Sequence, residues 1–329
     1  MSSIDGDERD PFACFGDDDD SVDTEHSNQS ERNAATDAAR HPIRDPSCGV
    51  LAFHAGTEKS LLKHVKLELT ERSIHSSSNG RHLSTSEMAD MVLRLVDEYC
   101  LSRHWMMHVG KEKGVIIQDF LEECCQRYLH DKTRTSGRPF IVVELGTYCG
   151  YSSILLAKTL YEIGCPFHLF SVEVERNNVD VAIELIQLAS IDRYISVLLL
   201  NSEVETLSDV LKRGIQAQFP NLSCDDGSSI DFLFIDHDKT LYLSDLLQLE
   251  KSGFIRSGCF VAADNVLFAR IDDYRRHMSE LSLKNIVHTE LKEAPLEYCE
   301  PDCDLSNSKA FSDGIGKLSH RVPLPIVCS

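Results

Sequence analysis

A chain of 329 residues, 42% hydrophobic and 26% charged, has enough apolar side chains for one large α/β domain or two modest ones. Its 33 Lys and Arg face 53 Asp and Glu, a formal net charge of −20. That balance argues against nucleic acid or an anionic membrane surface as partner, since both recruit clustered basic residues.

Residues 1–40 carry 12 acids and three bases, so a net −9 of the total lies there and −11 in the remainder. Residues 1–47, with the run Asp17–Asp20 and a stretch rich in Ser, Asn, Gln, Asp and Ala, offer too little apolar surface to offset the entropy of ordering. They predict a disordered acidic tail, first a solubilising extension and second a docking tail for a protein partner. The opening residues lack the basic start and apolar stretch of a targeting signal, and no apolar run reaches transmembrane length. The expectation is a soluble, cytoplasmic protein without membrane contact. Its 12 scattered cysteines fit reduced thiols. Neither Cys124–Cys125 nor Cys299 with Cys303 has the second cluster that structural zinc needs, so no metal is inferred from them.

Leu61–Leu69 has a helical pattern, followed by a Ser, Asn, Gly and His linker over Ser73–Ser84. Ser86 and Glu87 then open an amphipathic helix whose apolar positions are Met88, Met91, Val92, Leu95 and Val96, and Val115–Leu129 reads as another. After Arg138-Pro139 short apolar runs alternate with longer helical patterns. The predicted strands are Ile141–Leu145, His168–Val174, Ile195–Leu200, Ile230–Ile235 and Cys259–Ala263, with Asn285–Leu291 closing the series and Ala310–Val322 as a last strand region. The intervening helices fall at Ser152–Ile163, Val179–Ala189, Val204–Phe219, Leu241–Lys251 and Ile271–Leu281. Strands apolar on both faces, each followed by a helix, predict right-handed βαβ units in a doubly wound parallel sheet.

Ligands of such sheets lie beyond the C-terminal strand ends, so polar residues there are the candidates for chemistry. The first strand runs into Glu144-Leu145-Gly146-Thr147-Tyr148-Cys149-Gly150-Tyr151-Ser152. These glycines lack the G-x-G-x-x-G spacing that lets a pyrophosphate reach a helix N-terminus, which disfavours a nicotinamide or flavin dinucleotide. The second strand ends at Glu173, 27 positions beyond Gly146, where a carboxylate commonly holds a ribose diol. The fourth ends Asp236-His237-Asp238-Lys239 and the fifth Asp264-Asn265. On neighbouring strands Asp236, Asp264 and Asn265 would converge as three hard oxygen donors suited to Mg²⁺.

Gly56–Val65, Trp105-Met106-Met107-His108-Val109-Gly110 with Lys113-Gly114, Glu144–Ser152, Asp236–Lys239, Ala263–Val266 and Leu296-Glu297-Tyr298 together, in order and spacing, resemble the catechol O-methyltransferase family. The resemblance runs from about residue 55 to about 300. It implies a class I methyltransferase domain over residues 48–329, with a mostly parallel seven-stranded sheet, helices on both faces and helices preceding it. It also implies S-adenosylmethionine and Mg²⁺ as cofactors and a small catechol-like molecule as substrate. Met107, Val109, Gly146, Tyr148, Ser152, Glu173, Ser202, Glu203 and His237 match cofactor contacts. Asp236, Asp264 and Asn265 match the metal ligands, Lys239 the general base, Glu297 the acceptor for the second catechol hydroxyl and Trp105 a wall of the substrate slot.

Glu203 stands where the family has Gln, Asp238 where it has Trp, and Ala269-Arg270 where it has Pro-Gly, while Cys299–Asp304 is an insertion. These departures spare the metal ligands and the base and bear on which diol is accepted. The implied function is methyl transfer to one catechol hydroxyl. Two alternatives are an O-methyltransferase for another vicinal diol, such as a phenylpropanoid, and a non-catalytic S-adenosylmethionine-binding or interaction protein.

Overall fold

The computed structural model describes residues 43–44, 51–52, 56–76, 83–131, 137–222, 229–267, 271–295, 297 and 312–320. Apart from the pair Ile43–Arg44, which forms a two-residue antiparallel ladder with Leu51–Ala52, the expected tail over 1–47 lies outside the described residues. So do Ala269, Arg270 and the insertion Cys299–Asp304.

Three helices precede the sheet: α1 (Thr57–Ser76), α2 (Thr85–Ser102) and α3 (Gly110–His130). The helical pattern seen from Leu61 extends seven residues past Leu69, so the expected linker begins later than Ser73. At α2 the cap is Ser84 rather than a residue at Ser86: its hydroxyl accepts from the Glu87 N–H, and the Glu87 carboxylate accepts the Ser84 N–H at 2.9 Å. That reciprocal capping box satisfies two otherwise orphaned donors, which fixes the start two residues earlier than the apolar stripe suggests.

The sheet follows as β1 (Phe140–Leu145), β2 (Phe167–Glu173), β3 (Ile195–Leu199), β4 (Phe232–Ile235), β5 (Phe260–Ala263), β6 (Val287–Pro295) and β7 (Ser312–His320). The order is β3-β2-β1-β4-β5-β7-β6. Strands β1 to β5 are parallel, and β7 and β6 extend that set of five as an antiparallel pair, seven strands in all. Between them run α4 (Tyr151–Ile163), α5 (Arg176–Leu188), α6 (Leu207–Gln218), α7 (Tyr242–Lys251) and α8 (Asp272–Leu283). Helix α6 starts three residues later than its apolar pattern, because Thr206 and Asp209 form a second capping box.

Every residue of β1 is buried, and alternate side chains serve opposite layers. Phe140 and Val142 join one core with α1 to α5, while Ile141, Val143 and Leu145 join the other with α6 to α8. Each such side chain contributes roughly 1.5–3 kcal/mol on burial, which holds the βαβ units to one register. At the N-terminal strand ends Arg138 grips Asp231 through both carboxylate oxygens, at 2.9 and 2.6 Å, and Asp231 also accepts the Ile141 N–H at 2.7 Å.

Register decides what the other end presents. Leu145 pairs with Val172 and with Ile235, and Ile235 with Ala263. One position later Gly146, Glu173, Asp236 and Asp264 therefore form a row across four strands. Backbone bonds stitch it together: Gly146 N–H to Val172 O and Asp236 N–H to Leu145 O, both 2.9 Å, and Asp264 N–H to Ile235 O at 3.0 Å. The six described cysteines (Cys100, Cys124, Cys125, Cys149, Cys165 and Cys259) are buried. Among the described residues no helix is long and apolar enough to cross a membrane.

Candidate functional site

The row begins with a turn that only glycine fits. Gly146 has φ +95°, and a Cβ there would lie 2.2 Å from the Asp236 carbonyl oxygen, so the first and fourth strand ends touch backbone to backbone. Tyr148 follows at φ 46°, a conformation costly for a bulky side chain. Two contacts hold it: its N–H donates to Glu173 Oε2 at 2.8 Å, and its hydroxyl donates to Glu58 of α1 at 3.1 Å.

Glu173 was expected to face a ribose. It also organises the turn, since Oε1 accepts the N–H groups of Val174 (2.8 Å) and Glu175 (2.9 Å) besides the Tyr148 bond to Oε2. Three of roughly four acceptor positions of the carboxylate are thus taken by backbone. A two-point grip on a diol requires the exchange of one of them.

Ser152 lies in the first turn of α4, beside Glu144. Glu144 is fully buried at the end of β1 and accepts from Ser153 and, at 2.5 Å, from Ser171. Burial raises its carboxyl to about 7; Ser152, Ser153 and Ser171 act in the opposite direction, and Asp236 adds a smaller upward push. No role was assigned to Glu144 from the sequence, although an acid closing an apolar strand is a signal.

Beyond the turn a cleft of about 750 Å³ opens at the ends of β1 to β4. Gly146, Glu173, Ser202, Glu203 and His237 all line it, so five of the nine expected cofactor contacts share one wall. Its charged lining is acidic, with Glu173, Glu175, Glu203, Glu205, Asp238 and Asp245 against Arg176 alone. Such a cleft repels phosphates and suits a cation. His237 is fixed by Asp245 Oδ2 at 2.9 Å and by stacking on Tyr242, centroids 5.2 Å apart. Asp238, expected as one more acid beside the metal donors, is spent partly on structure: its carboxylate accepts the Thr240 N–H (2.9 Å) and hydroxyl (2.8 Å) and caps the turn Lys239–Leu241.

Met107 is partly exposed, while Val109 is packed into the core below α4. Between them His108 stacks on Tyr151 at 5.4 Å and tilts against Tyr148 at 5.2 Å, which ties this segment to the glycine turn. Burial lowers His108 to about 3, so the ring is neutral and acts as an aromatic spacer.

A second cluster adjoins the cleft through residues 236–239. The Lys239 ammonium donates to Asp236 Oδ1 and to the Tyr242 hydroxyl, both at 2.8 Å, and Tyr242 donates onward to the Asp264 carbonyl at 3.1 Å. Asp264 Oδ1 accepts the Asn265 N–H at 2.7 Å, with Asn265 at φ 55°. Asp264 Oδ2 lies 2.8 Å from the Lys113 ammonium, which is 3.1 Å from Glu297 Oε2. Trp105, 1% exposed, donates its indole N–H to the Glu297 carbonyl at 3.0 Å. Trp105, the expected slot wall, thus meets Glu297 through the main chain.

Among the described residues no three His, Cys, Asp or Glu gather as a metal cage. The donor set at the adjoining ends of β4 and β5 is instead two carboxylates and an amide, Asp236, Asp264 and Asn265. This fits Mg²⁺, which commonly takes one or two carboxylates and completes its octahedron with water and substrate oxygens. Lys113 carried no role from the sequence. Its signal was its place on the buried stripe of α3, with Gly110, Gly114, Ile117 and Leu121, where a lysine needs an acidic partner.

Residues 139–279 match the family model described as O-methyltransferase. Catechol O-methyltransferase of Bos taurus is 28% identical over 187 residues, 57% of this chain and 58% of that protein. The Mus musculus enzyme is 29% identical over 197 residues, 60% and 64% respectively. The chain thus spans under two thirds of the length of these two relatives. A transmembrane O-methyltransferase of Propithecus coquereli is 28% identical over 235 residues, 70% of each chain.

Proposed function

We propose, on the premise that this chain is a catechol O-methyltransferase-like protein whose residues 139–279 form an O-methyltransferase-family domain, that it transfers a methyl group from S-adenosylmethionine to one hydroxyl of a vicinal diphenol. The observation that carries this reading is the adjacency of two sites on one row of strand ends. One is an acidic cleft suited to a sulfonium-bearing nucleoside, and the other the set of Asp236, Lys239, Asp264, Asn265 and Glu297, of which Asp264 and Glu297 are buried and the rest half-buried. A binding protein has no need of both.

In this reading the row Gly146, Tyr148 and Glu173 shapes the floor under the nucleoside, with Ser202, Glu203 and His237 around the base, Ser152 beside the turn, and Met107 and Val109 on the approach. Asp236, Asp264 and Asn265 are the residues that would hold Mg²⁺. Bound there it supplies Lewis acidity to hydroxyl oxygens that otherwise ionise near pH 10. With its ammonium proton first released to solvent, Lys239 accepts as the free amine the proton of the reacting hydroxyl, whose oxygen forms a bond to the methyl carbon as the carbon–sulfur bond breaks and its electron pair returns to sulfur. Glu297 accepts a hydrogen bond from the second hydroxyl and Trp105 limits the slot. Opposite charges cancel in this step, so the burial of Lys113, Asp264 and Glu297 favours it by excluding water.

Transfer of a labelled methyl group is the direct test, with catechols, other vicinal diols and simple phenols as acceptors. Label is expected in vicinal diphenols and not in simple phenols. In Lys239→Ala turnover should fall by about 10²–10⁴-fold while S-adenosylmethionine still binds. Unchanged turnover in that variant contradicts the assigned base. A wild-type protein that binds the cofactor and methylates none of the diols contradicts the reading.

A further inference from the structure

Trp105 and Lys113 belong to one short stretch, the approach to α3 and its first turn, and both end on Glu297. The indole N–H donates to the Glu297 backbone carbonyl at 3.0 Å, and the ammonium lies 3.1 Å from Glu297 Oε2 as an ion pair. Lys113 also reaches Asp264 at 2.8 Å, and the side chains of all three charged residues are at most 6% exposed. One attachment to the backbone and one to the carboxylate fix both the place and the direction of Glu297. Without the cation, Asp264 and Glu297 would be two like charges facing each other in a poorly solvated space. A buried ion pair is often no more stable than an apolar filling of the same volume. Holding two carboxylates in a working geometry accounts for the charge better than stability does.

We propose that Lys113 is a positioning residue that, together with Trp105, clamps Glu297 against Asp264 before any substrate arrives. As a statement about catalysis the inference rests on the transferase reading above; as a statement about the clamp it does not. The clamp requires Glu297 to be aimed in the free protein. Its loss is then a loss in kcat, with little effect on the adjoining nucleoside cleft, which Lys113 does not line.

The chain contains a single tryptophan, so its emission reports on Trp105 alone. In the full chain carrying Lys113→Met, the expected results are a red-shifted emission with greater acrylamide quenching and a kcat lower by about 100-fold, the order of loss that a misplacement near 1 Å causes. The KM for S-adenosylmethionine should stay within about twofold, because Lys113 shapes the acceptor side and not the cleft. Should Lys113→Met lose its far-ultraviolet circular dichroism, Glu297→Ala leaves the ammonium on Asp264 and breaks only the side-chain arm; its emission should shift in the same direction. Emission unchanged in the folded variants overturns the clamp, and a shifted emission with unchanged kcat overturns its positioning role. A shifted emission in a protein whose wild type methylates no diol upholds the clamp and removes the transferase reading instead.

Discussion

The two ends of the sheet treat buried charge differently. At the N-terminal ends one arginine meets one aspartate: Arg138 takes both oxygens of Asp231, and the Ile141 N–H takes a further lone pair. Among the described contacts at the C-terminal ends two lysines, Lys113 and Lys239, meet three carboxylates, Asp236, Asp264 and Glu297, one carboxylate more than ammonium. A balanced pair carries no net charge to draw a ligand and serves to close the fold. On the proposed reading, a set with more carboxylates than ammonium groups on the same scaffold would keep a place for a cation and for the hydroxyls of a substrate. Burial is common to both ends; the difference lies in stoichiometry.

The sharpest way to break this contrast is at the closed end. Removing one partner of a buried ion pair costs about 3–5 kcal/mol, because the other charge is left uncompensated. Arg138→Met should lower the stability measured by urea unfolding by that amount, with kcat and KM unchanged below the melting transition. A variant that keeps its stability and loses turnover would show that the N-terminal end is not merely structural.

A smaller effect is expected at Glu144, the acid beneath the functional row. Burial raises its carboxyl to about 7, against about 4.5 in the unfolded chain, so the folded protein retains a proton that the unfolded chain releases. The contribution of this group to stability therefore falls as pH rises from about 4.5 to about 7 and is level above that. At about 1.4 kcal/mol per pH unit the loss amounts to about 3 kcal/mol. Glu144→Gln, which keeps a neutral acceptor for Ser153 and Ser171, should match the wild type at pH 4.5 and exceed its stability by up to that amount at pH 8. An equal difference at both pH values would show that folding does not shift the Glu144 carboxyl.

Much of this architecture was legible in the chain. Strands β1 and β4 stand out because burial on both faces demands unbroken apolar runs, Phe140–Val143 and Phe232–Ile235; the first stops at Glu144, beneath the functional row, and the second at Asp236 of the row. Acids that end apolar strands at matching positions also revealed Asp236 and Asp264. Other features depend on partners that no local pattern encodes. The cap at Ser84 comes from a reciprocal bond to Glu87, and the double duty of Glu173 comes from a left-handed Tyr148 whose N–H turns toward it. Lys113 was visible as a misplaced lysine on an apolar stripe, yet its partner Asp264 is 151 positions away and is brought near only by packing of α3 against the sheet edge. Spacing alone does not report contacts of that range.

The claim that joins these observations is that the excess of carboxylates over ammonium groups at the C-terminal strand ends exists to hold a divalent cation during methyl transfer. The direct measurement is the initial rate of transfer from labelled S-adenosylmethionine to catechol, taken after exhaustive chelation and again after Mg²⁺ is restored. The rate should vanish on chelation, return with Mg²⁺ in the wild type and fail to return in Asp264→Asn. A rate that survives complete removal of divalent metal would contradict the account.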